Sequence, residues 1–167
     1  MRIFFIGMPG SGKSYWSKAL SAQLGYARLD LDHYIETKEG KSIPEMFAIS
    51  ESYFRNAESA VLKSIPNDFR ENIIVATGGG APFYYDNMEW MQENGMVVYL
   101  KASVDYLFSR LKHAYTERPL LKSGTEKELY EKTSALFEQR KEIYLQAPYI
   151  IDVETATLDT FAKTLKL

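Results

Sequence analysis

An α/β fold with a mainly parallel sheet covered by helices on both faces is what this sequence predicts, on three observations. Short β-branched or aromatic runs alternate with longer amphipathic stretches along the chain. The clearest runs, Arg2 to Ile6, Asn72 to Ala76 and Met96 to Leu100, are near-continuously apolar, as strands buried on both faces should be. The first of them leads straight into a glycine-rich loop and then an amphipathic helix.

The remaining elements follow from local chemistry. Tyr26 to Leu31 and Tyr149 to Val153 read as two weaker strands. Ser42-Ile43-Pro44-Glu45 and Thr125-Glu126-Lys127-Glu128 each read as a capping box, the hydroxyl oxygen meeting the backbone while the Glu three residues on reaches back. Thr125 to Ala147 reads as one helix. Gly78-Gly79-Gly80-Ala81-Pro82 directly follows a strand, where glycine lets another group approach the backbone and proline sets up the next helix. Ala114 to Gly124 is the longest polar interruption, with Arg118-Pro119 in its middle, and reads as a mobile flap.

Length and composition bound the function. A chain of 167 residues buries one full core and predicts a single domain over residues 1–167. With 46% apolar and 25% charged residues, disordered and fibrous classes are excluded. No apolar run approaches the roughly twenty residues of a membrane span, and Arg2 to Ile6 is too short for a signal-peptide core. The expectation is a cytoplasmic protein with no membrane partner. The absence of Cys removes disulfides and thiolate nucleophiles, and two isolated histidines, His33 and His113, cannot build a His-rich metal site. A net charge of −2 argues against a nucleic-acid footprint.

The chemistry concentrates in Gly7-Met8-Pro9-Gly10-Ser11-Gly12-Lys13-Ser14, which fits G-x-x-x-x-G-K-[ST] between a strand and a helix. In such a loop Gly10, Ser11 and Gly12 present backbone N–H groups to phosphate oxygens. Lys13 reaches the β- and γ-phosphates, and the Ser14 hydroxyl ligates Mg²⁺. The plainer alternative is a glycine turn. Asp30-Leu31-Asp32 ends the second strand-like run at the carboxyl edge where open α/β sheets bind ligands. Strand alternation sends both carboxylates toward the crevice of Lys13, one for the metal and one for a substrate hydroxyl; the alternative is that they cap the helix starting near Leu31. Arg140 lies at helical spacing from Phe137 and Tyr144 on an inward stripe, where a cation either meets a ligand anion, pairs internally or snorkels out. Arg55 and Glu58, three apart on a helix, are either an intrahelical pair or part of the same site.

Taken together these features resemble the shikimate kinase family across essentially the whole chain. The resemblance rests on the P-loop Gly7 to Ser14, Asp30 and Asp32, Phe54-Arg55 with Glu58, the triple glycine Gly78 to Gly80, Arg118-Pro119-Leu120-Leu121, and Arg140 with Tyr144, all in family order. It implies a three-layer, five-stranded parallel sheet flanked by helices, a P-loop kinase fold with a lid at about 114–124 and substrate-binding helices at about 35–62. It implies transfer of the γ-phosphoryl group of MgATP to the 3-hydroxyl of shikimate, a step of chorismate and aromatic amino acid biosynthesis. Apart from that small-molecule substrate no partner is expected, and a monomer is the expectation, although no feature of the sequence fixes the oligomeric state. Carried over residue by residue, Lys13, Asp32 and Arg118 would be catalytic. Gly10 to Ser14, Tyr15, Arg110 and Arg118 would bind ATP, with Lys112 as the substitute for Arg110. Ser14 and Asp30 would serve Mg²⁺. Asp32, Arg55, Gly78, Gly79, Gly80 and Arg140 would bind shikimate. The residues of Asp152 to Thr157 lack the proline found in the adenine loop of many members, and Pro82-Phe83-Tyr84-Tyr85 is more apolar than a solvated rim requires. Other readings are a different small-metabolite kinase, such as a gluconate kinase, and a non-catalytic ATP-binding switch.

Overall fold

The structure, a computed structural model, describes residues 1–117 and 124–167. Five parallel strands, β1 (Arg2–Ile6), β2 (Ala27–Asp30), β3 (Ile73–Ala76), β4 (Met96–Lys101) and β5 (Tyr149–Asp152), pair in the order β2-β3-β1-β4-β5. Around them, among the described residues, lie α1 (Lys13–Leu24), α2 (Leu31–Glu39), α3 (Ile43–Ile49), α4 (Glu51–Asp68), α5 (Asn87–Asn94), α6 (Val104–Glu117), α7 (Glu126–Tyr144) and α8 (Leu158–Leu165), with a 3₁₀ turn at Ala81–Phe83.

β1 is central, and consecutive phenylalanines show why its run is apolar throughout. Alternation sends Phe5 to one face, where it meets Phe161 of α8, and Phe4 to the other, where it meets Trp90 of α5 edge-on. Both are fully buried, each contributing about 1.5–3 kcal/mol of transfer free energy. On the face of α5 and α7, Tyr99 of β4 stacks on Tyr144 at 5.1 Å. Both capping boxes form, Ser42 with Glu45 opening α3 and Thr125 with Glu128 opening α7.

Topology places the site. From β1 the chain crosses to β2, and from β3 it crosses past β1 to β4, so the connections leave these adjacent strands in opposite directions. A crevice opens at the carboxyl ends where the strand order reverses. There the loop after β1 and the glycines after β3 meet.

Three expectations need correction. The stretch read as a flap is not one from its start, because α6 continues to Glu117, and the chain meets neither glycine nor proline from Val104 to Glu117. The rest of that segment, with Arg118, lies outside the described residues. α7 stops at Tyr144, not Ala147, because Gln146 and Ala147 turn back to the carbonyls of Ile143 and Tyr144 just before Pro148. Finally, β2 ends at Asp30, so Asp32 stands in the first turn of α2 and not on the strand.

Candidate active site

The loop after β1 is shaped by backbone geometry. Gly10 and Gly12 have φ of 85° and 86°, in the left-handed region that side-chain-bearing residues rarely adopt. Gly12 N-caps α1 and leads its N–H groups toward the cavity side. The Lys13 ammonium folds over the loop and donates to the carbonyls of Gly7 at 2.8 Å and Met8 at 2.9 Å. Burial lowers its pKa to about 8, with Arg140 pushing the same way and Asp32 and Asp30 opposing.

Lys13, Ser14, Asp30, Asp32, Thr77, Gly78 and Gly79 line one cavity of about 230 Å³. The two acids share it by a route the strand pattern did not describe, one from the end of β2 and one from the first turn of α2. Asp30 occupies the N-cap position of α2, yet its side chain makes no capping hydrogen bond. Its Oδ2 instead accepts from the Ser14 hydroxyl at 3.1 Å, with Arg28 at 3.7 Å. Asp32 is half-buried, and burial, then the nearby Asp30 carboxylate, raise its pKa above the usual carboxylate range.

A second cluster of polar side chains is built against the three glycines. A Cβ on Gly78 would stand 2.8 Å from Asp32 Oδ1, one on Gly79 3.1 Å from Arg140 Nη1, and one on Gly80 2.8 Å from both Nη1 and Nη2 of Arg55. Each glycine therefore admits a polar side chain that a Cβ would crowd, and Gly78 admits Glu58 Oε1 at 3.2 Å as well. The conformation of these glycines is ordinary; the space is what matters. Arg55, on α4, donates from Nη1 to Glu58 Oε2 at 2.8 Å, a pair buried to 9% and 1% exposure. Burial raises the Glu58 pKa against the pull of Arg55, and Glu58 Oε1 has no hydrogen-bond partner among the described residues. The inward stripe of α7 holds as predicted: Arg140 is half-buried, and one turn on Tyr144 donates its hydroxyl to the Gly79 carbonyl at 2.7 Å. Burial pushes the Tyr144 phenol up to about 12, so it remains a donor at neutral pH.

The structure thus brings together Lys13, Ser14, Asp30, Asp32, Arg55, Arg140 and the glycines. Tyr15 and Arg110 stand on exposed surface, Tyr15 edge-on to Trp16 and Arg110 against Tyr106 of its own helix. α6 nevertheless abuts the loop, since a Cβ on Gly10 would touch Leu111 at 3.3 Å. The contact of Tyr144 with Gly79 was legible only as an apolar periodicity, and the place of Arg28 beside Asp30 was missed, although residues two apart on a strand share a face.

A P-loop motif after β1, facing a charged pocket across the reversal point of an all-parallel sheet, places the protein among the P-loop kinases. Comparison narrows the class. The family model for shikimate kinase matches residues 9–166. The shikimate kinase of Bacteroides thetaiotaomicron is 39% identical over 92% of this chain and 87% of its own length, and that of Persephonella marina is 41% identical over 91% and 88%. The crystal structure of the Bacteroides thetaiotaomicron enzyme superposes with a TM-score of 0.90 at 36% identity, covering 100% of this chain and 99% of that one. A shikimate kinase from Acinetobacter baumannii in complex with shikimate gives 0.79 at 30% identity, with 99% and 90% covered. A deoxyadenosine kinase from M. mycoides with bound dATP, at 0.59 and 21% identity over all of both chains, shares the fold. The chain belongs to the shikimate kinase family.

Proposed function

We propose that the protein transfers the γ-phosphoryl group of MgATP to the 3-hydroxyl of shikimate, giving shikimate 3-phosphate and ADP. One observation carries this reading beyond family membership: three glycines in a row each make room for a different polar side chain of the acceptor pocket, Asp32, Arg140 and Arg55. Two guanidinium groups at one end suit a planar carboxylate, which they grip with forked hydrogen bonds. A carboxylate of raised pKa at the other suits a hydroxyl that must lose its proton.

In this reading Arg55 and Arg140 hold the shikimate carboxylate, and the backbone of Gly79 and Gly80 meets its hydroxyls. Asp32 orients the 3-hydroxyl for in-line attack on the γ-phosphorus and accepts its proton. Gly10, Ser11 and Gly12 cradle the phosphates by their N–H groups, while Lys13 leaves its carbonyl partners to neutralise charge on the transferring group. Tyr15 and Arg110 flank the nucleotide, Arg110 against the adenine. The Ser14 hydroxyl and the Asp30 carboxylate, 3.1 Å apart, are oxygen donors that fit Mg²⁺ with water and phosphate oxygens completing its shell. That ion, when bound, would neutralise charge on the β- and γ-phosphates. Arg118, in the lid that the family resemblance implies beyond the end of α6, would close over the phosphates and exclude water, and the helices at about 35–62 would form the acceptor-binding region. Among the described residues no helix is long and apolar enough to cross a membrane. In this reading the enzyme acts as a monomer in the cytoplasm, where its nucleotide substrate is supplied.

The test is ADP release with MgATP and shikimate, beside gluconate, quinate and no acceptor. Strong stimulation by shikimate alone is expected. Stimulation by gluconate instead, or release that no acceptor changes, overturns the proposal.

A further inference from the structure

Two consecutive residues, the third and fourth after the last of the three glycines, cover the two arginines. The Arg55 guanidinium carbon sits 3.9 Å from the ring centre of Tyr84, and that of Arg140 sits 5.3 Å from the ring centre of Phe83. Both rings are themselves tied down. The Tyr84 hydroxyl donates to Glu51 Oε1 at 2.6 Å, and the same oxygen lies 3.7 Å from Arg55 Nε. Phe83 meets Tyr144 edge-on at 5.4 Å, and Tyr144 is in turn bonded to Gly79. The short 3₁₀ turn at Ala81–Phe83, with Pro82 inside it, makes this possible by delivering consecutive side chains to two different helices.

We propose that Phe83 and Tyr84 are positioning residues which set the affinity for the acceptor carboxylate by holding the guanidinium planes of Arg140 and Arg55. The inference rests on the shikimate kinase reading above. An arginine side chain has four rotatable bonds and grips a carboxylate in a fork only when its plane is fixed. Glu58 fixes one edge of Arg55 and Tyr84 covers a face, while Gly80 leaves the space the group occupies. A ring over a guanidinium also removes water that competes for it, which strengthens pairing with an anion at the exposed edge. The effect is specific to the acceptor, since neither ring is among the residues that line the Lys13 cavity. Tyr85 is the internal control: it is the next residue, 61% exposed, and its hydroxyl bonds Asn56 and touches neither arginine.

The experiment compares Tyr84→Leu, Tyr84→Phe, Phe83→Leu and Tyr85→Leu with the parent enzyme, measuring kcat, both Michaelis constants and the melting temperature. Tyr84→Leu is expected to raise KM for shikimate about tenfold, and Phe83→Leu about threefold, given the strength of partly buried cation–π contacts. In both, kcat and KM for ATP stay within twofold, Tyr84→Phe, which keeps the ring and loses only its tie to Glu51, recovers most of the rise, and Tyr85→Leu changes nothing. An unchanged shikimate KM in Tyr84→Leu overturns the proposal, as does an equal rise in KM for ATP, which marks a merely structural role. A parent enzyme that shikimate does not stimulate overturns the functional reading instead, and with it this one.

Discussion

In the proposed assignment, the two ends of the active site are built by opposite means. The phosphate end comes from eight consecutive residues, Gly7 to Ser14, whose backbone turns where Gly10 and Gly12 take positive φ. The acceptor end is gathered from α2, α4 and α7, and its shape depends on atoms that are missing, the three Cβ positions of Gly78 to Gly80. The difference teaches where a substitution does harm. At the phosphate end it matters what a residue donates; at the acceptor end it matters equally what a neighbouring residue leaves empty.

The largest effect that separates the ends is expected from Lys13→Ala. Loss of a cation aimed at the transferring group should lower kcat by about 10³-fold, with KM for shikimate nearly unchanged; unaltered turnover in a folded protein would break the comparison outright.

Arg55→Ala should weaken shikimate binding by about 10²-fold and leave ATP binding intact, but it also strands the buried Glu58 carboxylate. That stranding should cost about 3–5 kcal/mol of stability, seen as a lower melting temperature. A loss of ATP affinity matching the loss for shikimate would contradict the separation.

Gly80→Ala is smaller and more telling. The added methyl meets the flexible end of Arg55 at 2.8 Å and not backbone, so the fold should survive while KM for shikimate rises about tenfold, the scale of one lost tenfold in binding, 1.4 kcal/mol. Gly79→Ala, whose Cβ also comes within 3.3 Å of the Gly7 carbonyl and Pro9, should raise both Michaelis constants. Equal behaviour of the two variants would erase the boundary between the ends.

The smallest effects are in pH. The free-enzyme Lys13 has its pKa lowered to about 8, so kcat/KM for ATP should fall as pH rises through about 8, where the ammonium is lost. Because the folded-state pKa lies below the unfolded one, the same group makes the protein more stable as pH rises from about 8 toward the ordinary lysine value of 10.5. Asp32 is shifted the other way, and kcat/KM for shikimate should fall on the acid side at a pH above the ordinary Asp value. Arg140→Ala removes a positive charge that pushes Lys13 down, so the ATP profile should move to higher pH in that variant; an unmoved profile would show that the ends do not communicate through Arg140.

Legibility in the sequence follows the same division. The strands and the P-loop were readable because their signals are local: continuous apolar runs, a glycine motif and two capping boxes. Arg55, Arg140 and the triple glycine each gave a local signal, a helical spacing or a close approach to backbone, but only the family pattern joined them into one site, because nothing local says that Gly80 faces Arg55. The pairing of Asp30 with Asp32 was right in place and wrong in cause, since the chain changes from strand to helix between them. Tyr84 and Phe83 stood out as apolar, but their partners lie on α4 and α7, beyond the reach of spacing arguments.

The most direct test of the separation is calorimetric binding of ATP and of shikimate to the double variant Arg55→Met, Glu58→Leu, which removes the buried pair without stranding either charge. The account predicts an unchanged melting temperature, an unchanged Kd for ATP and a Kd for shikimate raised about 10²-fold. Equal losses for the two ligands, or shikimate binding at the parent affinity, would contradict it.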